Sequence, residues 1–98
     1  MIFFLSFTPE AKENLRELKQ SAHLEKRFKA VSKALKLLAD NPRHPGLQSH
    51  TYTSLCGSNG EKVFEAYAEQ NTPAAYRIFF YYGKAKGEII VFAITPHP

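Results

Sequence analysis

The spacing of apolar residues along the chain changes partway through, from a helical period to a period of two. Ala11, Leu15, Leu18 and Ala22 recur at three- and four-residue steps, which places them on one stripe of a helix. Thr8-Pro9-Glu10 precedes them, so Thr8 can cap, Pro9 suits the first helical position, and Glu10 and Glu13 lie where the helix dipole favours negative charge. A second helix over residues 22 to 40 carries Leu24, Phe28, Val31, Leu35 and Leu38 on one face, with Lys26, Lys29, Lys33 and Lys36 opposite. Asn41-Pro42 ends it, because the residue before a proline is pushed out of the α region.

Met1 to Phe7 has large apolar residues at both parities, as a strand covered on two sides does. His50 to Leu55, Lys62 to Glu69, Ala74 to Tyr82 and Glu88 to Thr95 are rich in aromatic and β-branched residues, which favour the pleated backbone. Short separators divide them: Gly57 to Gly60, Asn71-Thr72-Pro73 and Gly83 to Gly87. Connections this short make consecutive strands antiparallel partners. The predicted order is β-α-α-β-β-β-β, an α+β fold with two N-terminal helices packed on one face of a mostly antiparallel sheet.

Alternation then assigns the faces. Phe64, Ala66, Ala68, Tyr76, Ile78, Phe80, Tyr82, Ile90, Phe92 and Ile94 form a mainly apolar even-numbered set, predicted to lie beneath the helices. The odd set holds Glu65, Tyr67, Glu69, Arg77, Phe79, Tyr81 and, past the last strand, His97. Charge mixed with aromatics marks this second face as the place for a site.

Composition narrows the class. A chain of 98 residues, 44% hydrophobic, has the size of a single domain over residues 1 to 98 that buries a core without staples. The longest apolar runs are strand length, well short of the roughly 20 residues a bilayer span requires, and the N-terminus carries no export-signal pattern. Cys56 is the single cysteine, so no internal disulfide forms, and a cytoplasmic location is expected. Net charge is 13 − 9 = +4, and its excess lies in the helical half, with nine Lys/Arg against five Asp/Glu up to Gly46. Such a surface permits a polyanionic partner without demanding one.

Arg77, flanked by Tyr76 and Ile78, must direct its guanidinium to carboxylates, carbonyls or phosphate, and Glu65 is the first partner to consider. It is either half of a cross-strand ion pair or a phosphate-binding group, and the two roles are compatible if substrate displaces the pair. His97 and His50 lie at strand ends, where proton-transfer and plain surface roles are both open; His44 and His23 fit solvated positions. The histidines and Cys56 lack the local spacing of a metal site, and no Gly-rich phosphate loop, nucleophile elbow or paired-Cys motif is present. The lysines at 26, 29, 33 and 36 form either a solvated helix face or a patch that meets phosphates or an acidic protein.

Four stretches in order resemble the RelE/ParE superfamily of toxins, and the resemblance covers nearly the whole length. They are Phe7-Thr8-Pro9-Glu10-Ala11 after the opening strand, Leu37-Leu38-Ala39-Asp40-Asn41-Pro42, Ala75-Tyr76-Arg77-Ile78-Phe79-Phe80-Tyr81, and Ile90-Val91-Phe92-Ala93-Ile94-Thr95-Pro96-His97. The resemblance implies helices on one sheet face, a site on the other, and the toxin half of a type II toxin-antitoxin pair with a cognate antitoxin as partner. Members that cut RNA act on the ribosome, in translated mRNA, driving a 2′-hydroxyl onto the adjacent phosphodiester without a metal or other cofactor.

On that resemblance Arg77 matches the strand arginine that serves the phosphate, and His97 matches the near-terminal histidine of the YoeB-like and YafQ-like branches, a general acid. His50 falls where those branches often carry a histidine, and Glu65 is the candidate base. Tyr67, Tyr81 and Lys62, with Lys26, Lys29 and Lys33 of the second helix, are the implied RNA contacts. Glu65 and Tyr67 stand where RelE-like members have third-strand lysines, which argues against a lysine-driven mechanism. Two alternatives share the fold: a ParE-like inhibitor of DNA gyrase, and a toxin-like binding module without catalysis.

Overall fold

A computed structural model describes residues 2–96. Strand β1 (Phe4–Phe7) leads into helix α1 (Pro9–Gln20), a short 3-10 turn (Ala22–Leu24) and helix α2 (Glu25–Asp40). Strands β2 (His50–Cys56), β3 (Lys62–Tyr67), β4 (Tyr76–Tyr82) and β5 (Glu88–Pro96) follow. The five strands form one sheet in the order β1-β5-β4-β3-β2. The last four make an antiparallel meander, while β1 joins the far edge parallel to β5. This is the predicted α+β order.

Local chemistry sets the boundaries. The Thr8 hydroxyl accepts from the Ala11 N–H at 3.2 Å and Pro9 occupies the first turn of α1, as the sequence predicts. The predicted second helix begins later than expected, because residues 22 to 24 wind as a 3-10 turn before α2 starts at Glu25. Ala11 and Leu18 of α1 and Val31, Leu35 and Leu38 of α2 pack on Ala66, Ile78, Phe80, Ile89, Val91 and Ile94 of the sheet. No helix among the described residues is long and apolar enough to cross a membrane.

One face assignment is corrected. Ile89 and Val91, not Ile90 and Phe92, lie in the helix-covered core. A bulge is responsible: Phe79 pairs with Ala93 but the next residue, Phe80, pairs with Val91. One extra residue in β5 reverses its alternation from that point. Phe92 therefore lies on the far side, with its ring centroid 6.3 Å from that of Phe79 and 5.8 Å from that of Tyr81.

Helix α1 completes the strand it lies beside. The pairing of β1 with β5 ends at Phe7 and Val91, and beyond it the Thr8 hydroxyl donates to the Phe92 carbonyl at 3.2 Å while the Ile94 N–H donates to the Asn14 side-chain oxygen at 3.0 Å. Two side chains thus satisfy backbone groups that a longer β1 would have taken.

Candidate functional site

The face of the sheet turned away from the helices carries the site. Alternation on β3 places Glu65 and Tyr67 on it, and β4 adds Arg77, Phe79 and Tyr81. Register brings the chemistry together: His50 pairs with Glu65, and Tyr67 with Arg77. Arg77 and Glu65 are therefore diagonal neighbours across β3 and β4, within reach of a long side chain.

The His50 Nε2 lies 2.8 Å from Glu65 Oε1, and Arg77 Nε lies 3.9 Å from Glu65 Oε2. Glu65 is 1% exposed and Arg77 8% exposed, whereas the His50 side chain is 46% exposed. A buried carboxylate is thus flanked by a buried cation and by an imidazole open to solvent. The other ring nitrogen of His50, Nδ1, lies 2.9 Å from the Gln48 carbonyl. Each ring nitrogen of His50 therefore lies within hydrogen-bond distance of an oxygen.

Arg77 is fixed on several sides. Its Nη1 donates to the Glu69 carbonyl at 2.9 Å and to the Tyr76 carbonyl at 3.3 Å, and its guanidinium carbon lies 3.8 Å from the Tyr67 ring centroid. The buried Nε has no hydrogen-bond acceptor among the described residues. Tyr67 also meets the His50 ring edge-on, with centroids 5.7 Å apart. Behind this cluster Glu69 is anchored: its Oε1 accepts from the Tyr76 N–H at 3.0 Å and lies 3.6 Å from Arg27 of α2.

Of the residues expected from sequence, Arg77, Glu65, His50 and Tyr67 form this one cluster. His97 lies outside the described residues. Tyr81 is on the same face, two positions past Phe79. Lys62 is exposed on β3, opposite Cys56. Lys26, Lys29 and Lys33 are exposed on α2, the helix that covers the other face, and Lys29 pairs with Glu25 at 3.4 Å. Lys33 alone of these three approaches the cluster, lining with His44 and Tyr67 a groove of about 510 Å³. Two further residues lie on the site face against or beyond the sequence reading: Phe92, which unbroken alternation places in the core, and Tyr52, given no role from sequence, whose ring meets Phe79 edge-on at 5.1 Å. Tyr52 shares its parity with His50, which was the signal available.

A layer of two helices on a sheet of this order and direction is the RelE/ParE type of fold. The YoeB/ParE toxin of Agrobacterium tumefaciens has it, with a TM-score of 0.70 and 10% identity over 96% of this chain and 98% of that one. The YoeB dimer of Staphylococcus aureus superposes with a TM-score of 0.69 and 13% identity over 100% of both chains. The archaeal RelE-RelB complex from Pyrococcus horikoshii OT3 gives a TM-score of 0.65 and 12% identity over 98% of this chain and 96% of that one. At such identities the likeness is one of fold. No protein-family profile matches the chain, and no curated protein does.

Proposed function

We propose that this chain is the toxin of a type II toxin-antitoxin pair and cleaves mRNA on the ribosome by attack of a 2′-hydroxyl on the adjacent phosphodiester. The observation that carries this reading is the Glu65 carboxylate held between the His50 imidazole at 2.8 Å and the Arg77 guanidinium at 3.9 Å on the bare sheet face. The fold is shared with proteins described as YoeB and RelE toxins, one of them solved with RelB. A cognate antitoxin is accordingly the expected partner, and the cytoplasm the expected compartment.

The reaction needs a base for the 2′-hydroxyl proton, a cation for the crowded phosphate and an acid for the departing 5′-oxygen. Arg77 supplies the cation, its guanidinium fixed by the Glu69 carbonyl at 2.9 Å and the Tyr67 ring at 3.8 Å. His50, the solvent-facing member of the cluster, gives a proton to the leaving oxygen; His97 is the second candidate for this step. Glu65 orients the imidazolium and, as the carboxylate of the cluster, takes the 2′-hydroxyl proton. The products are a 2′,3′-cyclic phosphate and a 5′-hydroxyl.

The test is mRNA cleavage mapped in a reconstituted translation reaction. Arg77→Ala, His50→Ala and Glu65→Gln are each expected to lower the cleavage rate by about 10²-fold or more, the contribution of one acid-base or electrostatic group. Circular dichroism checks that each remains folded. Wild-type rates in folded Arg77→Ala and His50→Ala would overturn the assignment; inhibition of gyrase supercoiling without mRNA cleavage would replace it with the ParE-like reading.

A further inference from the structure

The chemistry open to His50 depends on which ring nitrogen keeps a proton, and a turn beside the cluster sets it. A carbonyl oxygen only accepts, so the 2.9 Å contact of His50 Nδ1 with the Gln48 carbonyl keeps a proton on Nδ1. Nε2 is left facing Glu65 Oε1 at 2.8 Å. The carbonyl is aimed by a backbone that glutamine rarely adopts: Gln48 has φ 47° and ψ 39°, just past the 3-10 turn Pro45–Leu47. This is the left-handed region, unfavourable for a residue with a Cβ, and it persists only where the surroundings over-determine it.

The surroundings do so on three sides. Leu47, 0% exposed, anchors the turn in the core. The Gln48 N–H donates to the Pro45 carbonyl at 3.2 Å. From the β3-β4 connection Gln70 closes the third side: its Oε1 accepts from Gln48 Nε2 at 3.1 Å, and its Nε2 donates to the Gly46 carbonyl at 3.1 Å. Both glutamines are exposed, where amide-amide hydrogen bonds add little to stability. A strained backbone held by bonds of little structural value points to a task at the site.

We propose that Gln48 is the positioning residue of His50, its carbonyl holding the Nδ1 proton so that Nε2 is the nitrogen that gives and regains a proton during cleavage, with Gln70 clamping the turn. The inference rests on the nuclease reading above and adds what selects the reactive nitrogen. As the bond from phosphorus to the 5′-oxygen breaks, its electron pair stays with that oxygen, which takes the proton from Nε2. The ring is left neutral with Nδ1 protonated, the tautomer that the Gln48 carbonyl accepts from. Glu65, which has taken the 2′-hydroxyl proton, faces Nε2 and returns that proton to it, so the cycle closes with atoms and charge balanced.

The first readout needs no substrate. Long-range proton-nitrogen correlation NMR shows which nitrogen of a neutral imidazole is protonated, and wild type is expected to show Nδ1 for His50. Gln48→Gly enters the left-handed region freely and is expected to keep that signature. Gln48→Val, whose branched side chain resists the region, and Gln70→Leu, which removes both bonds to the turn, are expected to move the neutral-ring proton toward Nε2. In the reconstituted translation reaction Gln48→Val is expected to lose about tenfold or more in kcat, the direction of a wrong-tautomer defect, with KM for programmed ribosomes little changed. Gln48→Gly should rescue the greater part of that loss.

A wild-type neutral ring protonated at Nε2 would overturn the positioning role. So would folded Gln70→Leu with the wild-type NMR signature and rate, and because Gln70 is exposed this variant decides the matter even where Gln48→Val fails to fold. The two readings fail separately. A Gln48-dependent Nδ1 proton in a protein that cleaves no mRNA removes the nuclease and leaves the tautomer device, whereas cleavage by a protein whose neutral ring is protonated at Nε2 removes the device alone.

Discussion

The Arg77 guanidinium lies over the Tyr67 ring, 3.8 Å from its guanidinium carbon to the ring centroid, while its Nη1 is held by the Glu69 carbonyl at 2.9 Å. A cation against a π-face in a poorly solvated site is worth about 0.5–2 kcal/mol, and here it also fixes the plane of the fork that faces Glu65. Tyr67→Phe keeps the ring and should leave cleavage near wild type. Tyr67→Leu should reduce it, with a loss in unfolding free energy of about 0.5–2 kcal/mol. Urea denaturation read beside the cleavage assay measures both, and equal activity in the two variants would show that the ring does not position Arg77.

The β5 bulge gives a sharper test, because alternation and structure disagree about neighbouring residues. Ile89 is 0% exposed within the core, and Ile90 is half-buried on the other face, opposite Tyr81. Ile89→Ala should cost about 2–5 kcal/mol, the range for truncating a buried Ile, and Ile90→Ala markedly less. Reversed magnitudes, measured from urea midpoints, would restore the unbroken even-numbered face.

How much was legible follows from the same strand. Helix spacing, the Thr8 cap and the turn residues are local signals, and they predicted the element order and the helix-covered face of β3 and β4. A bulge depends on how β5 meets β4 and α1, and nothing in Ile89 to Ala93 announces it. Phe92 was consequently assigned to the core. Arg77 and Glu65 were legible because a charged residue inside an aromatic strand stands out. That His50 completes their cluster was not, since the pairing of β2 with β3 sets it, and the position offered by Tyr52 was missed for the same reason.

A pH dependence arises at the β2-β3 turn. The Glu61 carboxyl is held below its ordinary value of 4.5, first by its own backbone N–H and then by the Asn59 N–H, which donates to Oε1 at 2.8 Å; Lys84 adds a smaller attraction. A depressed folded-state value means that the unfolded chain binds the proton more readily. The resulting stability is present above the ordinary carboxylate value and is lost as pH falls through the folded-state value. Glu61→Gln should therefore flatten part of the decline in urea midpoint below pH 4.5 while changing its slope little near neutrality. An unchanged acid limb would show that the turn carboxylate contributes nothing.

Asn14 offers a last test, of the helix that finishes a strand. Its side-chain oxygen accepts the Ile94 N–H at 3.0 Å, past the point where β1 stops. Ile94 is 1% exposed, so its backbone donor has poor access to water. Leaving such a group without a partner costs about 1–3 kcal/mol. Asn14→Asp preserves an acceptor and should retain most of the stability, whereas Asn14→Leu fills the space without accepting and should lose about that amount. Amide hydrogen exchange at Ile94 separates this from a general packing effect. Protection there should fall selectively in Asn14→Leu and persist in Asn14→Asp, and equal protection in both would mean that the helix does not substitute for the missing length of β1.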